Sequence, residues 1–352
     1  MNILSALAVA TVITLTALMA SSQTVGTIST APNPSYGAYY NGKIYFIAQG
    51  AGELQIIKDN QIVSTIKLPN YPNPFRLAIL NGSIYVVYQK GPLIELNEEG
   101  QVVWNYTVPK VGKFPAIITA GNHVVVTASD GDQVYFISPS HQVKSVTVMP
   151  YPQALAYDNY SGVVYVGAYN SPLIYGISLK DFRVVQNITL NVSSVNAMAF
   201  VPPDSLAVAV GQHYFELINL TNGRVVAFAS LPYDLGTLNG YAWMCFIPYD
   251  HYIALSIPRN SDKVVLFDTK GNVVEVVTVG NSPNGIVYDP QSRYVYVMNY
   301  GSSTISYFPA PPSHETAKPL KAPDHTPYLV ASVASVVALA AIGAFLLTRR
   351  GR

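Results

Sequence analysis

Apolar residues recur along this chain in short alternating runs, and the runs themselves recur about every forty residues. The strand-like stretch YVYV around Tyr296 has equivalents in IYFIA at Tyr45, IYVVY at Tyr85, VVVTA at Val125, VYVGA at Tyr165, LAVAV at Ala207 and IALSI at Ala254. The successive steps are 40, 40, 40, 42, 47 and 42 residues. A shorter apolar strand precedes most of these, such as RLAIL from Arg76 or QALAY from Gln153. Two more follow, such as PLIEL and then QVVWNYTV. Asn-Gly pairs at Asn41 and Asn81 mark two-residue hairpins, whose central residues both need φ > 0.

Four-stranded units of this length predict the blades of a β-propeller. A single blade cannot bury both of its apolar faces, whereas seven set radially can, each packed on its neighbours. Bulky and β-branched side chains fill the space between stacked sheets, which accounts for most of the 26 tyrosines. The seventh unit ends one strand early, at TISYF, before the chain turns proline-rich. Just after the N-terminal apolar stretch lies TVGTIST (24–30), which alternates like the fourth strands and has no blade of its own. It is expected to complete the last blade, closing the ring at seven and leaving no open edge between first and last. The expected fold class is therefore all-β, a seven-bladed β-propeller over 23–310 closed by an N-terminal strand.

Both ends of the chain break the pattern. Residues 1–22 are apolar and finish in small residues, as a secretory signal peptide does; an uncleaved anchor is the alternative. Residues 311–327 are rich in proline and read as a stiff, extended stalk. Residues 328–348 carry no charge, and about 20 such residues span a bilayer core of about 30 Å as a helix. The RRGR tail (349–352) places that end in the cytoplasm and the propeller outside.

Composition narrows the function classes. The chain of 352 residues is 50% hydrophobic and 11% charged, with a formal net charge of +1, so no basic face points to nucleic acid. Its one cysteine, Cys245, sits in an apolar run and reads as a small buried hydrophobe. Few charges among many Ser, Thr, Asn and Tyr suit an acidic exterior, where carboxylates lose their charge. Six sequons, at Asn81, Asn105, Asn159, Asn187, Asn191 and Asn219, become glycosylation candidates once the chain is exported.

The last unit, VGNSPNGIVYDPQSRYVYVMNYGSSTIS, resembles the YVTN repeat of archaeal and bacterial surface-layer-type β-propellers. The likeness lies in its DP turn, its YV.N strand and its S.TIS strand; YPQALAYDNYSGVVYVGAYNSPLI is a second copy. The resemblance implies a surface-layer-type protein of an archaeon, used for binding or scaffolding envelope proteins or glycans. It implies no defined reaction.

Ligands of propellers meet the chain where each first strand approaches the channel. The aligned column there is Tyr36, Arg76, Ala116, Gln153, Asn196, Ala242 and Asn284. Tyr36, Arg76, Gln153, Asn196 and Asn284 are the candidate ligand contacts, suited to a sugar or a peptide carboxylate. The plainer reading makes them turn and cap residues. The column holds no carboxylate or histidine, so it offers neither the oxygen ligands of a calcium lactonase-type site nor a quinoprotein pocket. Asp158 and Asp289 occupy equivalent hairpin turns and are expected to bond their own backbone. SDGDQ (129–133) has two acids but lacks the remaining ligands of a calcium loop. No catalytic residue, metal or cofactor is assigned. The leading reading is a membrane-anchored binding or scaffold module. The alternatives are a lactonase-like or quinoprotein-like extracellular enzyme with its site in the channel, or an accessory subunit of a membrane complex.

Overall fold

The strand Gly26–Ser29 pairs antiparallel with Thr304–Pro309, Thr27 opposite Ser306 and Ile28 opposite Ile305. It thereby supplies the missing outer strand of the last sheet, as the alternation of TVGTIST requires. A computed structural model describes residues 12–13, 24–235, 242–258 and 261–311 of the protein. Within them seven antiparallel sheets follow in chain order, each read from inner to outer strand as first to fourth. Blade one runs from Pro34–Tyr40 to Gln61–Lys67, and blade six from Met244–Ile247 to Val273–Thr278. Blade seven joins Pro283–Asp289, Tyr294–Asn299 and Thr304–Pro309 to Gly26–Ser29. A two-residue strand, Val12–Ile13, also lies parallel to the outer strand of blade five, Val12 beside Phe228. The remainder of the expected signal peptide, the stalk, the membrane segment at 328–348 and the basic tail lie outside the described residues.

The apolar core divides into seven clusters, one at each seam between neighbouring blades. This is why all strands but the outer ones read as nearly continuous apolar runs: both faces of each inner strand meet a neighbour. Phe215 and Phe267, for example, stack at 4.0 Å across the seam between blades five and six. At the closure seam, Ile28 packs with Ile44, Phe46, Val287 and Met298, so the terminal strand is anchored on blade one as well as blade seven.

The outer strands alternate buried and exposed residues and carry a recurrent irregularity. In blades one, two, four, five and six the pairing of third with fourth strand slips by one residue, leaving Val63, Val103, Val185, Val226 and Val274 out of register. Four of these valines are among the exposed large hydrophobics of the surface. A bulge at an edge strand increases its local twist and spoils its use as a template for another chain. The repeated bulge therefore protects rims that the ring closure does not cover.

Candidate functional site

The inner strands approach the propeller axis through a second set of bulges. Proline opens the first strand of blades one, two, four and seven, at Pro34, Pro74, Pro152 and Pro283, a position where no ladder N–H is needed. A residue without a cross-strand partner follows: Phe75, Gln153 and Asn284 directly after their prolines, and Asn196 after Val195 in blade five. In blade one the bulge comes one residue later, at Tyr36. Arg76 is thus not the counterpart of Gln153. It takes the register of Ala154, and Phe75 holds the equivalent place. The expected column is out of step by one residue in blade two because strand spacing alone does not reveal a bulge.

All five candidate residues, Tyr36, Arg76, Gln153, Asn196 and Asn284, are at most 4% exposed and gather at the inner strands. The Arg76 guanidinium lies 4.2 Å from the centre of the Tyr36 ring, 5.0 Å from Trp243 and 5.2 Å from Phe75. It donates to the Tyr36 hydroxyl at 3.1 Å and to the Gln153 carbonyl at 3.5 Å, reaching from blade two to blades one and four. Gln153 in turn donates to the Val195 carbonyl of blade five at 2.9 Å, and Asn196 to the Gly211 carbonyl at 2.7 Å. The rings also meet edge to face, Tyr36 with Phe75 at 5.2 Å and with Trp243 at 5.1 Å. Three aromatic faces around one cation form a cage, and in a dry interior such contacts strengthen.

The backbone is shaped to hold this arrangement. Tyr36 has φ of 23°, a left-handed conformation that costs a non-glycine residue energy and is kept only where its surroundings fix it. Gly285 on the neighbouring inner strand permits the approach: a Cβ there would lie 3.0 Å from the Tyr36 backbone nitrogen. Burial pushes the Tyr36 hydroxyl above its usual range, with Arg76 acting in the opposite sense. Between Arg76, Gln153, Asn196, Trp243 and Met244 the remaining void is about 10 Å³. That is room for about one water molecule. The Asn196 side-chain oxygen is buried without a protein partner and would suit such a water. Among the described residues Arg76 itself lines this small void, held between the three rings and its two hydrogen-bond acceptors.

Trp243 could not be anticipated from the repeat, because it precedes the first strand of blade six and belongs to no strand register. A second cluster lies between blades two and three. Trp104 stacks on His141 at 4.5 Å and on Tyr106 at 5.8 Å, and His141 Nε2 donates to the buried Glu95 carboxylate at 2.6 Å. Asp158 and Asp289 behave as expected of turn residues: Asp158 Oδ1 accepts from the Tyr160 N–H at 2.8 Å, and Asp289 Oδ1 from the Gln291 N–H at 2.8 Å. In the 129–133 loop, Ser129 donates to the Val111 carbonyl at 2.7 Å while Asp130 and Asp132 face solvent. No group of three or more His, Cys, Asp or Glu is placed to hold a metal among the described residues. Cys245 is only half-buried, but desolvation pushes its thiol up to about 12, so it is not poised as a thiolate nucleophile.

Glu216, on the third strand of blade five, is fully buried. Burial pushes its carboxyl up to about 7, against the opposing pull of the Asn191 and Val192 backbone N–H groups. The folded pKa lies above the ordinary value of 4.5, so between those two values the folded protein keeps a proton that the unfolded chain has released. Stability from this site is complete below about pH 4.5, falls as pH rises towards 7, and is level above that. Glu216→Gln is expected to match the parent protein at pH 4 and to exceed it by about 2–3 kcal/mol at pH 8. Urea midpoints at the two pH values measure this, and equal differences at both would remove the carboxyl as their cause.

Seven sheets, with the N-terminal strand in the last of them, make the chain a seven-bladed β-propeller. No known family matches the sequence, and no curated protein matches it. Among solved structures, a streptogramin B lyase is similar at 12% identity with a TM-score of 0.65, over 81% of this chain and 97% of that one. Virginiamycin B lyase from Staphylococcus aureus is similar at 12% identity and TM-score 0.67, over 82% and 99%. A chain of hydrazine synthase from Kuenenia stuttgartiensis gives 14% identity and TM-score 0.68, over 83% and 97%. At such identities the likeness is one of fold alone.

Proposed function

We propose that the protein is an exported propeller, held at the cell surface by a single C-terminal membrane helix, which binds or scaffolds envelope proteins or glycans through its outer surfaces. The observation that carries this reading is the Arg76 hub. The one cation among the five inner-strand candidates is spent within the fold, on three aromatic rings, the Tyr36 hydroxyl and the Gln153 carbonyl, which favours recognition on the outer surfaces. The uncharged segment 328–348 followed by RRGR supports the anchor, and the YVTN-like motifs support a surface-layer type of archaeal origin. The test is to capture the detergent-solubilised full chain from its own membranes and identify what accompanies it. A stoichiometric envelope component supports the reading; a protein recovered from the soluble fraction, or one that turns over a small molecule in its channel, overturns it.

The sequons divide by geometry. Asn105 and Asn187 are exposed and sit two residues beyond their bulged valines, on the outer strands of blades two and four. Asn219 is half-buried, and its side-chain amide donates to Asp204 Oδ2 at 3.1 Å. A glycan there would break that bond and crowd the strand end. Asn105→Gln and Asn187→Gln are each expected to remove one glycan mass from the purified protein, and Asn219→Gln none, as read by intact mass spectrometry.

A further inference from the structure

We infer that the seam between blades seven and one holds a binding pocket for a neutral saccharide. This rests on the proposed binding role and deepens it by naming a ligand class and a place. The pocket has a volume of about 480 Å³, within the range of about 300–1,000 Å³ usual for small-ligand sites. Three hairpin tips build it: residues 41–42 and 58–60 from blade one and 289–292 from blade seven, with Tyr294 and Tyr296 as the wall.

The chemistry of the lining selects the ligand. No aliphatic side chain contributes; the walls are amides, carboxylates, hydroxyls, one lysine and two tyrosine rings. A cleft of similar volume beside blade two differs in having an apolar floor of Tyr71, Pro72, Pro92, Val108 and Val111 under a rim of Lys90, Lys110 and Asp130. Sugar hydroxyls both donate and accept, so they match a wall that mixes the Asn41 and Gln291 amides with the Asp59 carboxylate. The C–H face of a pyranose matches an aromatic ring. One lysine, Lys58, stands against two carboxylates, Asp59 and Asp289, which disfavours an anion, and both Asp289 oxygens are already engaged, by the Gln291 N–H and the Ser292 hydroxyl, which leaves a cation little to bind there. The site therefore has no strong preference for a charged ligand.

The pocket is also rigidly built. Asp59 and Asn60 have φ of 51° and 59°, a two-residue turn with both residues left-handed. That turn holds the Asn60 side-chain oxygen 2.6 Å from the Tyr296 hydroxyl, which donates to it across the seam. Tyr296 and Tyr294 are both backed by Tyr307, at 6.0 and 5.7 Å. Because the walls come from the first and last blades, a bound sugar would bridge the seam that closes the ring and raise the melting point by mass action.

The detergent-solubilised full chain, applied to an array of defined oligosaccharides and then titrated calorimetrically with the best neutral binder, tests this. Saturable binding is expected, falling by about tenfold or more in Tyr294→Ala and in the exposed variant Gln291→Ala. It should be unchanged in Tyr71→Ala of the other cleft, and saturating sugar should raise the melting point. Absence of binding by any neutral saccharide, or binding undiminished in both pocket variants, overturns the inference. A blank array alongside a captured envelope protein sinks the sugar pocket and leaves the binding role standing. Sugar binding abolished by Gln291→Ala, with nothing captured from membranes, keeps the sugar pocket and the glycan-binding role and removes the protein scaffold.

Discussion

Ile28→Asp is expected to destabilise the propeller by about 3–5 kcal/mol, the sum of a lost buried isoleucine and an uncompensated buried charge. Ile28 is 9% exposed and faces a core shared by blades seven and one, so the carboxylate would meet Ile44, Met298 and Ile305 with no cation to pair with among them. The effect exceeds that of an ordinary outer-strand substitution because this strand is where the two ends of the chain meet. When it detaches, Thr304–Pro309 becomes an open edge and the ring loses its closure. Thr27→Asp, one residue away on the exposed side of the same strand, is expected to change stability by less than about 0.5 kcal/mol. Urea unfolding of the pair measures the contrast. Hydrogen exchange adds a spatial check: in Ile28→Asp, protection should fall first in Thr304–Pro309 and only later in blade four. Equal effects for the two variants would mean that the N-terminal strand is an appendage and that closure comes from elsewhere.

That strand was legible because its signal is local and periodic: TVGTIST alternates, stands alone, and the last repeat is visibly short of one strand. The blade count followed from the same deficit. What resisted reading is what periodicity cannot encode. A bulge adds one residue without altering the hydrophobic pattern on either side, so strand spacing sets Arg76 beside Gln153, whereas it sits at the register of Ala154. The signal that could have corrected this was present, since aligning Pro74 with Pro152 and Pro283 puts Phe75 in the column and moves Arg76 inward. The cage was less accessible still. Trp243 lies before its strand and reaches Arg76 from far along the chain, while Tyr36, one repeat away, owes its place to a left-handed backbone. Contacts that skip blades, from Arg76 to Gln153 in blade four and to Trp243 before blade six, span separations the forty-residue period does not record. The five candidate residues lie on inner strands, and their partners depend on the fold.

Arg76→Ala should cost about 3–5 kcal/mol, because it removes contacts with three rings and a charge-assisted hydrogen bond and leaves a void at the hub of the ring. Two further variants separate volume from charge. Arg76→Met retains an unbranched stem that can lie against Tyr36, Phe75 and Trp243 and dispenses with a buried charge, whose desolvation offsets much of what its contacts contribute. It is expected to lose less than half as much as alanine. Arg76→Lys should fare worse than methionine, since a compact, strongly hydrated ammonium cannot spread over three faces or span the Tyr36 hydroxyl and the Gln153 carbonyl together. The predicted order of stability, parent above Met above Lys and Ala, would be inverted if charge alone mattered and flattened if the hub were loosely packed. The methionine variant also carries the functional argument. Folded but lacking the cation, it should capture the same envelope component as the parent if recognition occurs on the outer surfaces. If capture disappears while the melting curve is preserved, the guanidinium itself is the recognition element, its cage opens for the ligand, and the binding site belongs on the axis.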